Sequence, residues 1–500
     1  MNSAEVNSLR AELLEVAQHW QPDGKPSQAA DVFFPSAHVR ALALDRSLVI
    51  GMRGAGKSFW SEVLTDDRLR PTVTQFVKGY DTLVYVGAIR WDGAGSMLGI
   101  LPVGDDLTTA LQAGLEPRLL WMTLILNELR GVCAQRGIEL SVPVPGDVSQ
   151  GWTAVLAWAG QHGHEIRRAY EQLNAALVRE GQVVLVVMDA LDRMAAQLAQ
   201  SVDCLRGLLQ LLLDARQLKG IRLKVFLRED MTHMPSVLSF PDASKLINEA
   251  VHLHWTREDV YALHWHKLAQ ESRKFQQVLE QYFGPGNLMS HGYLHPKLVQ
   301  SPPDESFLTE LLKLLAPPYM GSSATKGHVY SWWYKHLADG KNRVSPRTFS
   351  ASLKGGLSES SKSSLNHVLT PAGIKHGVRM ASEERVQELK EEYFWVSTAL
   401  AAFNERLTPI AVKEIYGVWS CAGVEGLPTP RLIREQCQAE HVFVPWDDAD
   451  RLTTASQKLR DTLVQLGILI LRDEDTRLDM PDIYRLGYRI RKRGGVTPRR

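Results

Sequence analysis

Cysteine is scarce: there are four in 500 residues, at positions 133, 204, 421 and 437, with no C-x-x-C pair and no histidines beside them at zinc spacing. A disulfide-stapled or zinc-built fold is therefore excluded, and buried, reduced thiols of a cytosolic protein are expected. The chain also lacks any run of roughly 18 or more apolar residues. Its N-terminal stretch, MNSAEVNSLRAELLEVAQHW, has no basic start followed by an apolar core. Neither a membrane span nor secretion is expected. Net charge is nearly absent, with 57 basic against 56 acidic residues. Any affinity for nucleic acid must then come from a local patch. No nuclease, deaminase, protease or TIR-like constellation is present. The clustered histidines His252, His254, His264 and His266 lack the carboxylate spacing of a metal site and read as strand and helix surface.

What is present is an ordinary globular composition, 44% hydrophobic and 23% charged. A chain of this length exceeds one core, so roughly two to four domains are expected. Residues 47–60, SLVIGMRGAGKSFW, carry an apolar run, a glycine-rich loop and a helix start, and match G-x-x-x-x-G-K-[ST] at Gly51, Gly56, Lys57 and Ser58. Glycines let backbone N–H groups turn inward around phosphates, and the helix N-terminus adds partial positive charge. The candidate cradle is Gly51, Arg53, Gly54, Ala55, Gly56, Lys57, Ser58 and Phe59. Lys57 is expected to reach the β- and γ-phosphates of ATP, and the Ser58 hydroxyl to ligate Mg²⁺. A glycine turn that merely joins strand to helix is the alternative.

Residues 181–193, GQVVLVVMDALDR, read as a central strand buried on both faces, with Asp189 at its C-terminal edge as the magnesium-holding carboxylate. Residues 81–88 read as a second buried strand, and residues 221–230 as another, ending in Arg228, a candidate γ-phosphate sensor. Residues 250–253 complete a five-stranded parallel sheet of the additional-strand P-loop type. His38 and Arg40, just before the P-loop strand, are either neighbours of the base or ribose or residues of an ordinary surface helix. Trp121, Trp152 and Trp158 are expected to fill a local core within a helical insertion.

The expected domains are an N-terminal helix and lead-in over 1–45, an ATPase core over 46–255 with an insertion at about 90–165, a helical lid over 256–355, a linker over 356–382, and a winged-helix domain over 383–500. The linker rests on the low-complexity run KGGLSESSKSS, 354–364. Arg347, after Pro346, is the candidate lid arginine; the alternative is a solvent-facing residue behind a Ser345 cap. Helices followed by ILILRD, EDT and RLDM have the layout of a winged helix. The last sixteen residues, from 485, hold seven basic residues and no acid, either as a solvated tail or as a phosphate-backbone contact.

Together, GMRGAGKS, VVMDALDR, KVFLRED, SPRTF and the C-terminal winged helix resemble bacterial STAND-type and origin-recognition-like AAA+ ATPases of the kind found in anti-phage defence and mobile-element neighbourhoods. That resemblance implies an ATP-driven switch that self-associates or engages an effector, or a DNA loader acting through its winged helix. It implies that Lys57, Asp189, Asp192, Arg228 and Arg347 act on ATP, Asp192 and Arg193 filling the D-x-x-D-R form of the motif. One departure stands out. Many such proteins place a water-orienting glutamate after the strand's aspartate, where this chain has Ala190.

Overall fold

The computed structural model describes residues 2–20, 26, 28–91, 101–144, 151–191, 198–232, 236–289, 292–363, 365–421, 426–440, 442, 444, 446 and 449–492. Residues 23–254 form one unit, and residues 1–22 with 255–500 form another. Helix α1 (Ser3–His19) starts from an Asn2–Glu5 capping box and buries Val6, Leu9, Leu13 and Val16 at helical spacing. Its partners lie in the second unit: Arg10 Nε donates to the Val368 carbonyl at 2.9 Å, and the Glu12 carboxylate accepts from Ser272 Oγ at 2.8 Å. The 1–45 lead-in expected as one piece is divided after residue 22, and α1 groups with residues 255–500.

The 23–254 unit runs α2 (Ser36–Leu42), β1 (Leu48–Gly51), α3 (Lys57–Thr65), β2 (Leu83–Arg90), α4 (Gly104–Gln112), α5 (Pro117–Glu128), α6 (Trp152–Gln161), α7 (Gly163–Glu180), β3 (Val183–Asp189), α8 (Leu198–Ala215), β4 (Ile221–Arg228) and β5 (Val251–Leu253). The five strands form one parallel sheet in the order β2-β3-β4-β1-β5. β4 lies between β1 and β3, which is the additional-strand arrangement of P-loop folds. The inner strands read as continuous apolar runs because both faces are covered. Leu48, Ile50, Val184, Val186 and Val225 pack with α5, α7 and α8, while Val49, Leu185, Val187 and Phe226 pack with α2 and α3.

Two expectations change here. The tryptophans of the insertion do not build a separate core: Trp121 and Trp152 join the cluster that covers the sheet, and the Trp121 indole donates to the Cys204 carbonyl at 2.8 Å. β2 is not a buried strand but a half-exposed edge, with Val84 46% exposed. Glu128 of α5 guards that edge, its Oε1 accepting from the Ala88 N–H at 3.2 Å and from the Tyr85 hydroxyl at 2.9 Å. A Cβ on Gly87 would lie 2.7 Å from the Glu128 side chain, so glycine makes this cover possible.

The other unit continues from α1 with α9 (Arg257–Glu271), α10 (Arg273–Phe283), α11 (Glu305–Leu315), α12 (Val329–Leu337), α13 (Pro346–Ser360) and α14 (Pro371–Glu392). His264 and His266 of α9 are buried, not on the surface, because α9 is covered on nearly all sides. The C-terminal part runs β6 (Ile410–Ala411), α15 (Val412–Ser420), α16 (Thr429–Ala439), α17 (Leu452–Gln465), β7 (Ile470–Arg472) and β8 (Arg477–Asp479). The order β7-β8-β6 makes a three-stranded sheet behind three helices, the winged-helix topology. Among the described residues, no helix is long and apolar enough to cross a membrane.

The expected linker is not one. The glycines and serines of 354–364 lie largely within α13, which packs backbone to backbone on α14. A Cβ on Gly377 would fall 2.0 Å from the Ser352 carbonyl oxygen, and one on Gly373 2.1 Å from Ser360 Oγ. The turn between the helices is pinned as well, with the Thr370 N–H donating to Ser360 Oγ at 2.9 Å. Small residues here serve close approach, and composition alone misreads them as flexibility. Gly377→Ala is expected to destabilise this unit by about 2–3 kcal/mol through overpacking. Chemical denaturation followed by circular dichroism checks it, and an unchanged transition would contradict the packing.

Candidate functional site

β1 ends in Gly51, and the chain turns through 52–55 into the N-terminus of α3. Gly54 has φ 74° and Gly56 has φ 101°, a region that costs an L-residue about 1 kcal/mol or more and glycine almost nothing. Gly56 caps α3 without a side-chain cap bond of its own, and the helix N-terminus carries partial positive charge. Lys57 Nζ donates to the Gly51 and Met52 carbonyl oxygens at 3.0 and 2.8 Å, folding the ammonium over its own loop. Ser58 is exposed, while Ala55 is buried, its Cβ so placed that a Cβ on Gly51 would come within 3.1 Å. Phe59 meets Trp60 edge-on, with ring centroids 5.3 Å apart. Arg53 is half-buried in the turn.

Strand register decides which side chains share this sheet edge. Gly51 of β1 stands opposite Arg228 of β4, and Asp189 of β3 opposite Arg90 of β2. All four end their strands at the C-terminal edge of the sheet, where ligands of open α/β folds bind. Asp189 is only 4% exposed. The next residue, Ala190, has φ 58°, so the chain turns sharply away just after the carboxylate. Arg228 is held by Asp230, which accepts from Nε at 3.1 Å and from Nη2 at 2.8 Å. Asp192 and Arg193 lie outside the described residues. The loop, Ser58 and Asp189 together offer the donor and oxygen types that a magnesium-bound triphosphate takes.

Arg347 belongs to the other unit. It sits in the first turn of α13, where Ser345 caps the helix, and its Nη1 donates to Glu388 Oε1 of α14 at 2.7 Å. Arg385 takes the other oxygen of Glu388 at 2.9 Å. Burial pushes the Glu388 carboxyl up, but the hydrogen bonds and charges of Arg347 and Arg385 more than offset this and hold it below the usual range. The winged helix also departs from expectation. Arg485, counted with the basic tail, is fully buried and bonds to Asp482 and to the Ile490 carbonyl, and Lys492 pairs with Asp479 at 2.8 Å. The wing tip is acidic, built from Asp473, Glu474 and Asp475, all at positive φ. Residues 493–500 lie outside the described residues.

Three residues of the P-loop unit were missed or misread. Arg90, two residues beyond the expected end of its strand, grips α3: Nε donates to Ser61 Oγ at 3.0 Å, Nη2 to the Ser61 carbonyl at 2.8 Å, and Nη1 to Glu62 at 2.6 Å. Lys224, fully buried in β4, donates to the carbonyls of Ala41, Ala43 and Arg46 at 2.7, 2.9 and 2.6 Å. An ammonium has three donors, and all three are used. His38 lies neither on the surface nor open to a ligand: it is fully buried. The Trp60 indole donates to its Nδ1 at 2.9 Å, and its Nε2 lies 3.1 Å from the His254 carbonyl. An indole N–H can only donate and a carbonyl can only accept, so His38 is neutral with its proton on Nε2.

The class defined by the strand order and loop is an additional-strand P-loop fold followed by helical and winged-helix parts. No family model and no characterised protein matches the sequence. Among solved structures, the ORC2 protein of Aeropyrum pernix in ADPNP–ADP complexes is similar at 13% identity and a TM-score of 0.36, covering 88% of this chain and 84% of that one. The ORC1 protein of the same organism in complex with DNA follows at 12% identity and a TM-score of 0.28, covering 96% and 88%. The ADP form of ORC2 stands at 13% and 0.29, covering 94% and 93%. At such scores the fold assignment rests on strand order and loop geometry alone.

Burial pushes the His38 imidazole down to about 3, with the His254 charge adding to the shift and the His254 carbonyl partly opposing it. Unfolded, the same ring titrates at about 6.5. The unfolded chain therefore takes up a proton that the folded one refuses, and the stabilisation present above about pH 6.5 drains at about 1.4 kcal/mol per pH unit toward pH 3. His38→Gln should flatten this slope between pH 6.5 and 4, as read by denaturant titrations. An identical slope in the variant would contradict the assignment.

Proposed function

We propose that the chain is an ATP-binding switch that hydrolyses ATP slowly and thereby drives self-association or the activation of a partner protein. The observation that carries this reading is the shared sheet edge, with the glycine loop and Lys57 on β1–α3, Asp189 ending β3 and Arg228 ending β4. The amide groups at the start of α3 receive phosphate oxygens, and Lys57 exchanges two carbonyl acceptors for the more strongly negative phosphates. Ser58 and Asp189 would hold Mg²⁺, which neutralises phosphate charge when bound. Arg228 reads the γ-phosphate at the cost of its bond to Asp230. Arg347 is the lid arginine and has Glu388 to leave. Asp192 is the remaining acidic candidate near the strand end. Ala190 provides no carboxylate to orient water, which favours long occupancy over rapid turnover.

By the resemblance of its motifs, the biological setting is anti-phage defence in a bacterial cytoplasm. A second reading, a DNA-binding loader or recruitment factor, is favoured by the winged-helix topology. The acidic wing tip and the internally paired Arg485 and Lys492 weigh toward a protein partner instead. DNA binding that falls steeply with salt and is lost on removing residues 493–500 would restore the DNA reading.

Lys57→Ala should abolish ATP binding, and Asp189→Asn should retain binding while lowering Mg²⁺-dependent turnover by about 100-fold or more, in line with the loss of one strong charge contact. Phosphate-release assays beside equilibrium binding check both. Wild-type affinity in Lys57→Ala would remove the site, and unchanged turnover in Asp189→Asn would remove Asp189 from it.

A further inference from the structure

Between the P-loop and the point where the chain leaves its unit runs a short, fully committed set of contacts that nucleotide binding alone does not require. Gly56 is tied to it, its carbonyl accepting from the Trp60 N–H at 3.0 Å. Trp60, one turn into α3 and 1% exposed, donates to His38 Nδ1, and His38 passes its Nε2 proton toward the His254 carbonyl. His254 is the last residue of the 23–254 unit. Two residues later, Thr256 opens α9 with a capping box, its side chain accepting from the Asp259 N–H at 3.0 Å and donating to Asp259 Oδ2 at 2.7 Å.

The helix that carries His38 cannot absorb a displacement at its far end. Lys224 clamps the carbonyls of Ala41 and Ala43 at the C-terminus of α2 and that of Arg46 just beyond, and the Tyr80 hydroxyl donates to the Leu42 carbonyl at 2.6 Å. A shift of Gly56 and Trp60 is then passed on through the imidazole, because packed interiors do not compress. The P-loop also has reason to move. Lys57 bonds to its own loop's carbonyls, and phosphate competes for the same ammonium protons.

We propose that His38 is a positioning residue that couples phosphate binding at the P-loop to the link at His254–Thr256, through the hydrogen bonds Trp60 to His38 to His254. The inference rests on the nucleotide reading above and adds to it the route by which occupancy leaves the P-loop unit. The bond between Trp60 and His38 can be cut from either side while the contact to the His254 carbonyl is kept. Trp60→Phe keeps an aromatic ring but removes the donor to Nδ1, while His38→Gln keeps an amide able to reach the His254 carbonyl and loses the acceptor for Trp60.

Hydrogen–deuterium exchange of the full chain, with and without saturating ATP and Mg²⁺, reads both ends at once. In the wild type, ATP should slow exchange at 51–60 and change it at 250–262 by about threefold or more. Both variants should keep the response at 51–60 and lose most of that at 250–262. A wild-type response at 51–60 with none at 250–262 overturns the relay and leaves nucleotide binding standing. Equal responses at 250–262 in wild type and variants overturn it too. Variants that lose the response at 51–60 place Trp60 and His38 in the nucleotide site itself, which also overturns the relay. If the wild type responds nowhere, the nucleotide reading fails, and the relay with it.

Discussion

Parallel pairing of β1 with β4 puts Gly51 and Arg228 at the same level, and the pairing of β2 with β3 does the same for Arg90 and Asp189. A slip of one residue in either pair would turn each strand's side chains to the opposite face and move a candidate site residue off the edge. Burial on both faces holds β3 in the sheet, where each inward residue such as Val186 or Val187 contributes about 1.5–3 kcal/mol. Beyond that edge, α3 starts from a glycine cap and Arg90 ties its second turn back to β2. The site is an outcome of the sheet's packing, with the loop fitted to it.

The second constraint is the burial of polar groups inside the P-loop unit. Lys224 and His38 are polar groups in an apolar interior, and each has its hydrogen-bonding capacity matched by backbone carbonyls or an indole. Removing one partner from such a group costs more than the bond itself is worth, because a buried polar atom is left unpaired. This makes the lead-in to β1 rigid, so the glycine loop is held between fixed supports. The α13–α14 pair of the other unit achieves rigidity by different means, through glycines and serines that let two backbones touch.

Much of the sheet was legible in the sequence because its inner strands are continuous apolar runs ending in Gly51, Asp189 and Arg228. The glycine loop could be read from spacing alone, since phosphate geometry demands those residue types. Harder to see were features set by tertiary contact. Residues 354–364 have the composition of a linker, and only the proximity of Gly373 and Gly377 gives those small residues their meaning. His38 reads as a surface or ligand residue until Trp60 and His254 are seen around it. Arg485 looks like part of a basic tail until Asp482 is found beside it. In the first two cases the decisive partner lies on another element; Asp482 stands three residues before Arg485 in one short helix, and it is the burial of that helix that composition does not reveal.

The proposed switch depends on this sheet edge holding a magnesium-bound triphosphate. Calorimetric titration of the intact chain with ATP tests that most directly, run once with Mg²⁺ and once with a chelator. The account predicts saturable one-to-one binding that weakens markedly when the metal is withdrawn. No binding at millimolar ATP, or binding indifferent to the metal, would contradict it.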